Sequence, residues 1–214
     1  LALVKVAGCE SNEFAEVINA WDMFSNCYNL AEIGGPLFFS CANINSLSRA
    51  FGDCRSLKKI PENLLAGCEN LADVNSMFQG CLVLESIPAE LFKDCPHLRY
   101  VSTTFSGCSS LSAVPEDLFK YNPDIAEVNS LFNECSALVT VPVNIFDNNR
   151  KINSMHHIFT RCDKVQGESP YTVIDGQKIH LYERNQHTDY FSYIGNHQNS
   201  FERASFSDYD KIPQ

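Results

Sequence analysis

Positive charge is in short supply: 16 Lys and Arg stand against 26 Asp and Glu, a formal net charge of −10. An acidic surface repels phosphate, so nucleic acid and anionic membranes are disfavoured as partners. No apolar run reaches the roughly eighteen residues of a membrane-spanning helix, so none is expected in this stretch. The chain has no G-x-S-x-G, no Gly-rich phosphate loop and no H-E-x-x-H, and so lacks the local signatures of hydrolase, nucleotide and zinc-protease chemistry. It also has no C-x-x-C, and its closest cysteines are thirteen apart, which does not suit a structural zinc site. The expectation is a protein that is not an enzyme, with no cofactor and no metal.

What the chain does have is a repeat. Cysteines fall at 27, 41, 54, 68, 81, 95 and 108, in steps alternating 14 and 13; continuing the alternation reaches Asn122, Cys135, Asn149 and Cys162. Three residues after each site stands an aliphatic residue, as at Leu57, Leu71, Leu84 and Leu98, and three further on another, as at Ile60, Val74, Ile87 and Val101. Three residues before each site stands Phe, or Leu65 in its place, as at Phe51, Phe78, Phe105 and Phe132. The half-repeats are of two kinds. The longer reads C-x-x-L-x-x-I-P-x-x-L-F-x-x-C, with Pro61, Pro88, Pro115 and Pro142 spaced by 27, and the shorter lacks the proline. The structural period is therefore 27.

A fixed period of that size is the signature of a solenoid, in which each turn buries a face against the next. Identical inward side chains should then form ladders at the ~4.8 Å spacing of neighbouring strands. "LESIP" and "LRYV" read as very short strands. "PAELFKDC" and "NSMFQGC" read as helices of one or two turns, proline suiting a first helical position and Asn75, Ser76, Asn129 and Ser130 serving as caps.

The string LF-x-x-C-x-x-L-x-x-V-x-x-MF-x-x-C-x-x-L-x-x-IP resembles the repeats of BspA-like leucine-rich-repeat surface proteins of Bacteroides and relatives, and the related repeat of mycoplasma surface proteins. The resemblance runs from about Phe14 to Cys162. It departs in its period of 27, longer than usual, and in Asn122 and Asn149 standing for cysteine. It implies export, a cell-surface or extracellular location, adhesion to a protein or glycan on host or neighbouring cells, and no enzyme activity. The expected fold is thus an α/β, right-handed, leucine-rich-repeat-like solenoid over residues 1–162, with about five turns of short parallel strands and short helices. Residues 163–214 should form a capping segment.

Within that segment "YTVIDGQKIHLY" reads as a hairpin about Asp175-Gly176, the pair a type I′ turn favours. "FERASFSDYDKIP" echoes a degenerate repeat, with Phe201 three before Ala204. The aromatics there serve as a cap on the last turn, or as a ligand platform. The start, "LALVKVAGCESN", faintly resembles a lipoprotein cleavage site at Cys9. Its short apolar stretch carries Lys5, so a start inside a longer protein is the favoured reading, with a lipid anchor left as an option.

The cysteines admit disulfides, zinc or buried thiols. Stacked neighbours lie near ~4.8 Å, beyond the usual Cβ separation of a bridge, so buried free thiols are preferred. His156 and His157 are adjacent and diverge, which argues against joint ligation. The variable positions beside the inward strand residues of the shorter halves should line up on one exposed strip. Asp73, Arg99, Tyr100 and Glu127 are the candidate binding residues, Tyr100 with Arg99 being the most interface-like pair. The competing reading is a structural spacer with no ligand of its own.

Overall fold

Each period of 27 residues becomes one coil. The computed structural model describes residues 3–7, 16–39, 41–195, 197 and 199–212, so Cys9, Phe14 and Pro213 lie outside the described residues. Successive coils pair in parallel along two strips. On the first, single-residue bridges join Asn19, Ser46, Asp73, Tyr100, Glu127 and Ser154 in order. On the second, β1 (Lys5–Ala7) pairs with β2 (Glu32–Gly34), and bridges join Lys59 to Ser86 and Ala113 through Thr140 to Gln166 in the same register. The fold is a leucine-rich-repeat-type solenoid with a strand rung in each half of every coil.

The expected short helices are absent: no α-helix occurs among the described residues. The reason lies two residues before and two residues after the phenylalanine of each shorter half. The first position holds Asp22, Arg49, Ser76, Thr103, Ser130 and His157, and the second holds Asn26, Asp53, Gly80, Gly107, Glu134 and Arg161, all at φ between 49° and 72°. A left-handed residue ends a right-handed helix. Its gain is hydrogen bonding between coils. Ser76, Phe78 and Gly80 donate N–H to the carbonyls of Ser102, Thr104 and Ser106, while Met77, Gln79 and Cys81 close tight turns back to Val74, Ser76 and Phe78. Alternate donors thus point along the stack and satisfy backbone that would otherwise be buried unpaired.

Nor do the expected caps cap. Ser76 and Ser130 are themselves left-handed. Asn75 and Asn129 turn their side-chain oxygens to the next coil, accepting from the N–H of Ser102 (2.8 Å) and His156 (3.1 Å). The longer halves are successive i→i−3 turns opened by proline, as in Leu91 N–H to Pro88 O (3.2 Å) and its repeats at Pro61, Pro115 and Pro142.

The interior is laddered. Phe24, Phe51, Phe78, Phe105, Phe132 and Phe159 stack with ring centroids 5.3–5.9 Å apart and planes within 15°. A second stack of Phe92, Phe119 and Phe146 runs beside it, with Phe92 6.5 Å from Phe105. The nine described cysteines are free, and eight are buried. Their thiols tie coils together: Cys81, Cys108, Cys135 and Cys162 donate to the carbonyls of Phe51, Phe78, Phe105 and Phe132 at 3.1–3.4 Å. Burial pushes the Cys54, Cys95 and Cys162 thiols up to about 12 and Cys108 and Cys135 well above the ordinary thiol range. Since the thiolate is the reactive form, iodoacetamide at pH 8 should modify half-buried Cys27 first among the nine described cysteines. The eight buried cysteines should react only on unfolding, as read by peptide mass spectrometry. Labelling of native Cys108 as fast as Cys27 would contradict this packing.

After Cys162 the chain leaves the regular path. β3 (Tyr171–Ile174) and β4 (Gln177–His180) form the expected antiparallel hairpin, with Asp175 and Gly176 at φ 50° and 80° as a type I′ turn requires. A 3₁₀ turn, Leu181–Gln186, then carries Arg184 into the end of the second cysteine column. In that column Asn122 donates to the carbonyls of Phe92 and Cys95 (2.9 and 2.8 Å), and Asn149 to those of Phe119 and Asn122 (3.4 and 2.7 Å). Arg184 repeats the pattern on the last coil, donating to Phe146 O (2.8 Å) and Asn149 O (2.9 Å). Its ring-side neighbour is Phe191, 4.4 Å from the guanidinium. Burial lowers the guanidinium to about 9, and nearby Asp147 opposes the shift.

The chain then returns to the stack. Phe159 and Arg161 donate N–H to Ser200 O and Glu202 O, Phe201 packs 5.8 Å from Phe159, and Ala204 takes the place of a cysteine. Asp208 knots this return to the hairpin. Its carboxylate accepts from the Ser169 N–H (2.8 Å), the Ser169 hydroxyl (2.6 Å) and the Tyr182 hydroxyl (3.4 Å), and lies 3.2 Å from His180 Nδ1. Burial would raise this carboxyl, but the Ser169 hydrogen bonds, with His180 nearby, hold it below the ordinary range. A carboxyl lowered in the folded state contributes stability that is complete above its unfolded pKa and is lost as pH falls through the folded value. Asp208→Asn should therefore lower the unfolding midpoint at pH 7 and flatten its dependence between about pH 5 and pH 2, the window in which a lowered carboxylate titrates. An unchanged acid limb would show that Asp208 is not the group responsible.

Candidate binding surface

Ordinary strand alternation would turn either Arg99 or Tyr100 inward, yet both stay at the surface. The cause is a repeated bulge-like pairing. Arg99 and Tyr100 both donate N–H to Ala72 O, Ala126 and Glu127 both to Arg99 O, and Asn153 and Ser154 both to Ala126 O. At the rung of Arg99 and Tyr100 two neighbouring side chains therefore stand outside Leu98 and Val101 in the core, while at other rungs the small Ser46 and Ala126 in the same two columns are covered. One column carries Asp73, Tyr100 and Glu127, and the next carries Ala72, Arg99 and Ala126.

The structure thus brings together the residues marked in the sequence. Asp73, Tyr100 and Glu127 are consecutive rungs and half-buried, and Arg99 is exposed beside them. The Arg99 guanidinium lies 5.5 Å from the centre of the Tyr100 ring. Asp73 accepts from the Ser46 hydroxyl and the Asn75 N–H, both at 2.9 Å. Among the described residues Arg99 and Glu127 have no ion-pair or hydrogen-bonded side-chain partner. Asn75 and Asn129, two places beyond Asp73 and Glu127, are committed to the backbone of the next coil.

Small Ala72 and Ala126 on either side of Arg99 leave a trough of about 550 Å³. One wall is the column His97, Asp124 and Lys151. Ser192 closes the far end, where its N–H donates to Arg150 O and Gly195 N–H to Asn153 O. Lys151 is hydrogen-bonded to Asp124, His97 lies 3.9 Å away, and the Asp124 carboxyl is held low, chiefly by Lys151 against a smaller burial effect. This wall was missed in the sequence, although its residues recur two places after each cysteine site at the period of 27. Ser192 had no such signal, because it lies in the aperiodic insertion.

The other candidates fare differently. His156 and His157 meet edge to face at 5.4 Å, and burial followed by the His157 charge lowers His156. Cys162, the thiol nearest them in sequence, is spent on Phe132 O. Among the described residues no cluster of His, Cys, Asp or Glu could hold a metal, and no helix is long and apolar enough to cross a membrane. At the first coil an apolar cleft of about 490 Å³ lies between Trp21, Met23, Leu37 and Phe38.

No family model matches the chain, and no curated protein matches it. Solved structures to which it is similar include bacterial leucine-rich-repeat proteins. One from T. pallidum is 19% identical over 70% of this chain and 71% of that one, with a TM-score of 0.36. One from Bacteroides ovatus is 16% identical over 95% and 69%, with a TM-score of 0.35. One from Eubacterium ventriosum is 12% identical over 89% and 59%, with a TM-score of 0.37.

Proposed function

We propose that the chain is a non-enzymatic repeat protein of the cell surface or exterior that binds a protein partner through the outward residues of its first strip. In this reading residues 1–162 are the binding solenoid and residues 163–214 close its end. The observation that carries it is the doubled pairing at successive rungs: the inward ladder is nearly constant while the two residues between its members vary from coil to coil, and Arg99 and Tyr100 both reach the surface. The second strip repeats the doubled pairing where Val139 and Thr140 both donate to Ser112 O, but the trough around Arg99 belongs to the first. A protein fits better than a sugar, because the Arg99 guanidinium lies 5.5 Å from the Tyr100 ring centre, on a face that a pyranose would need for stacking. Burial of the thiols is compatible with an oxidising exterior, where accessible cysteines would be modified.

The test is to pass the intact chain over a panel of extracellular-matrix proteins and a glycan array. The expected result is saturable binding to a protein, weakened at least about ten-fold by Tyr100→Ala, which removes an interface-type anchor. Binding to glycans alone, or protein binding indifferent to Tyr100, would defeat the proposal.

A further inference from the structure

We infer that the trough around Arg99 is a carboxylate subsite for an extended peptide segment, whose acidic side chain meets Arg99 while flanking basic side chains meet Asp73 and Glu127. The inference rests on the first strip being the binding face and specifies the partner's chemistry there.

Three observations carry it. The first is that Arg99 is unspent. Arg49, Arg55, Arg161 and Arg203 each pair with a carboxylate and Arg184 is consumed by the last coil, whereas the Arg99 guanidinium, like that of Arg150, is in no ion pair among the described residues; it lies beside the Tyr100 ring and acts on Asp124 only across the trough. A planar fork of N–H donors in a recess suits a carboxylate bound through both oxygens. The second is the local balance of charge. Within a chain of net charge −10, this trough holds Arg99 and Lys151 against Asp124 alone, so an anion is favoured here and disfavoured over most of the surface. The third is the order of charge along the strip. Asp73 and Glu127 sit one rung to either side of Tyr100, uncompensated by any ion pair among the described residues. At ~4.8 Å per rung they are about 10 Å apart. In an extended segment crossing the rungs, residues on one face recur every ~7 Å, within reach of lysine or arginine arms. The strip therefore reads negative, positive, negative, and its complement is basic, acidic, basic.

Random decapeptides displayed on phage would be selected on the intact chain, and enriched peptides synthesised and titrated by fluorescence anisotropy. The expected consensus carries Asp or Glu flanked by Lys or Arg. Converting that acid to its amide should weaken binding at least about ten-fold, the scale of a bidentate charge-assisted pair. Arg99→Ala should weaken it equally, the two changes together should cost no more than either, and Arg99→Lys should keep part of the affinity. Arg99 is exposed, so unchanged thermal unfolding is expected of both variants and confirms that they fold. Peptides that need no acid, or that ignore Arg99→Ala while losing affinity in Tyr100→Ala, overturn the subsite and leave the binding strip standing. Failure to enrich any peptide, with an anionic glycan bound at Arg99 instead, overturns the peptide partner itself.

Discussion

Phe105→Ala should cost about 3–5 kcal/mol of folding stability, measured by urea unfolding of the intact chain. Its ring has no exposure, and it lies 5.9 Å from Phe78 and 5.8 Å from Phe132 in nearly parallel planes. Removing it takes away its own burial, worth on the order of 1.5–3 kcal/mol, and leaves a hole bounded by two flat rings that cannot close sideways. In a stack held by nearest-neighbour contacts, a fault in a central coil also weakens the coupling of the two halves. A broader unfolding transition should therefore accompany the loss. Phe24→Ala is the internal comparison: that ring is half-buried at the start of the stack with one partner below it, and should lose well under half as much. A loss below about 1 kcal/mol for Phe105, or an equal loss at both positions, would remove the ladder from the centre of the argument.

The inward columns were legible because burial imposes residue type. Phe, Leu, Ile, Val and Cys recur at Phe78, Leu84, Ile87 and Cys81 and their repeats, and a period of 27 could be counted directly. The alignment of Asp73, Tyr100 and Glu127 followed from the same count. The conformation between those columns was not legible. Local propensity favours a helical turn in "NSMFQGC", but hydrogen bonds to the following coil override it and hold Arg49, Ser76, Thr103 and Ser130 in the left-handed region. Residue types as different as Arg, Ser and Thr carry no common signal, and Gly80 and Gly107 alone hinted at it. Arg99 appearing beside Tyr100 rather than beneath it depends on the two-donors-to-one-carbonyl pairing, which is a property of neighbouring coils and not of any one segment. The loss of cysteine at Asn122 and Asn149 was visible as a departure. Its meaning required the structure: Asn122 and Asn149 aim a donor at the previous coil's carbonyls, as the Cys68 thiol does in the same column, so a thiol or an amide can supply it.

That rule makes a prediction at the end of the column, where the donor is Arg184. Arg184→Ala should cost about 3–5 kcal/mol, the scale of removing one member of a buried charged network. The change leaves Asn149 O without its partner, strips a second hydrogen bond from Phe146 O, deprives Thr172 Oγ1 of a donor at 3.2 Å, and leaves half-buried Asp147 without its nearby cation. An unpaired buried acceptor costs about 1–3 kcal/mol. Relief of the buried guanidinium's own desolvation returns some of this, which keeps the total below the sum. Arg184→Met separates the two explanations of the effect. If Arg184 merely fills space against Phe191, methionine should restore most of the stability; if it acts as the last donor of the column, methionine should fail and lysine should recover part. Amide hydrogen exchange locates the damage, with protection expected to fall first in residues 145–162 and in the hairpin while coils around Phe51 and Phe78 stay protected. Uniform loss of protection along the whole stack, or full rescue by methionine, would show that the column of donors is not what closes this end of the solenoid.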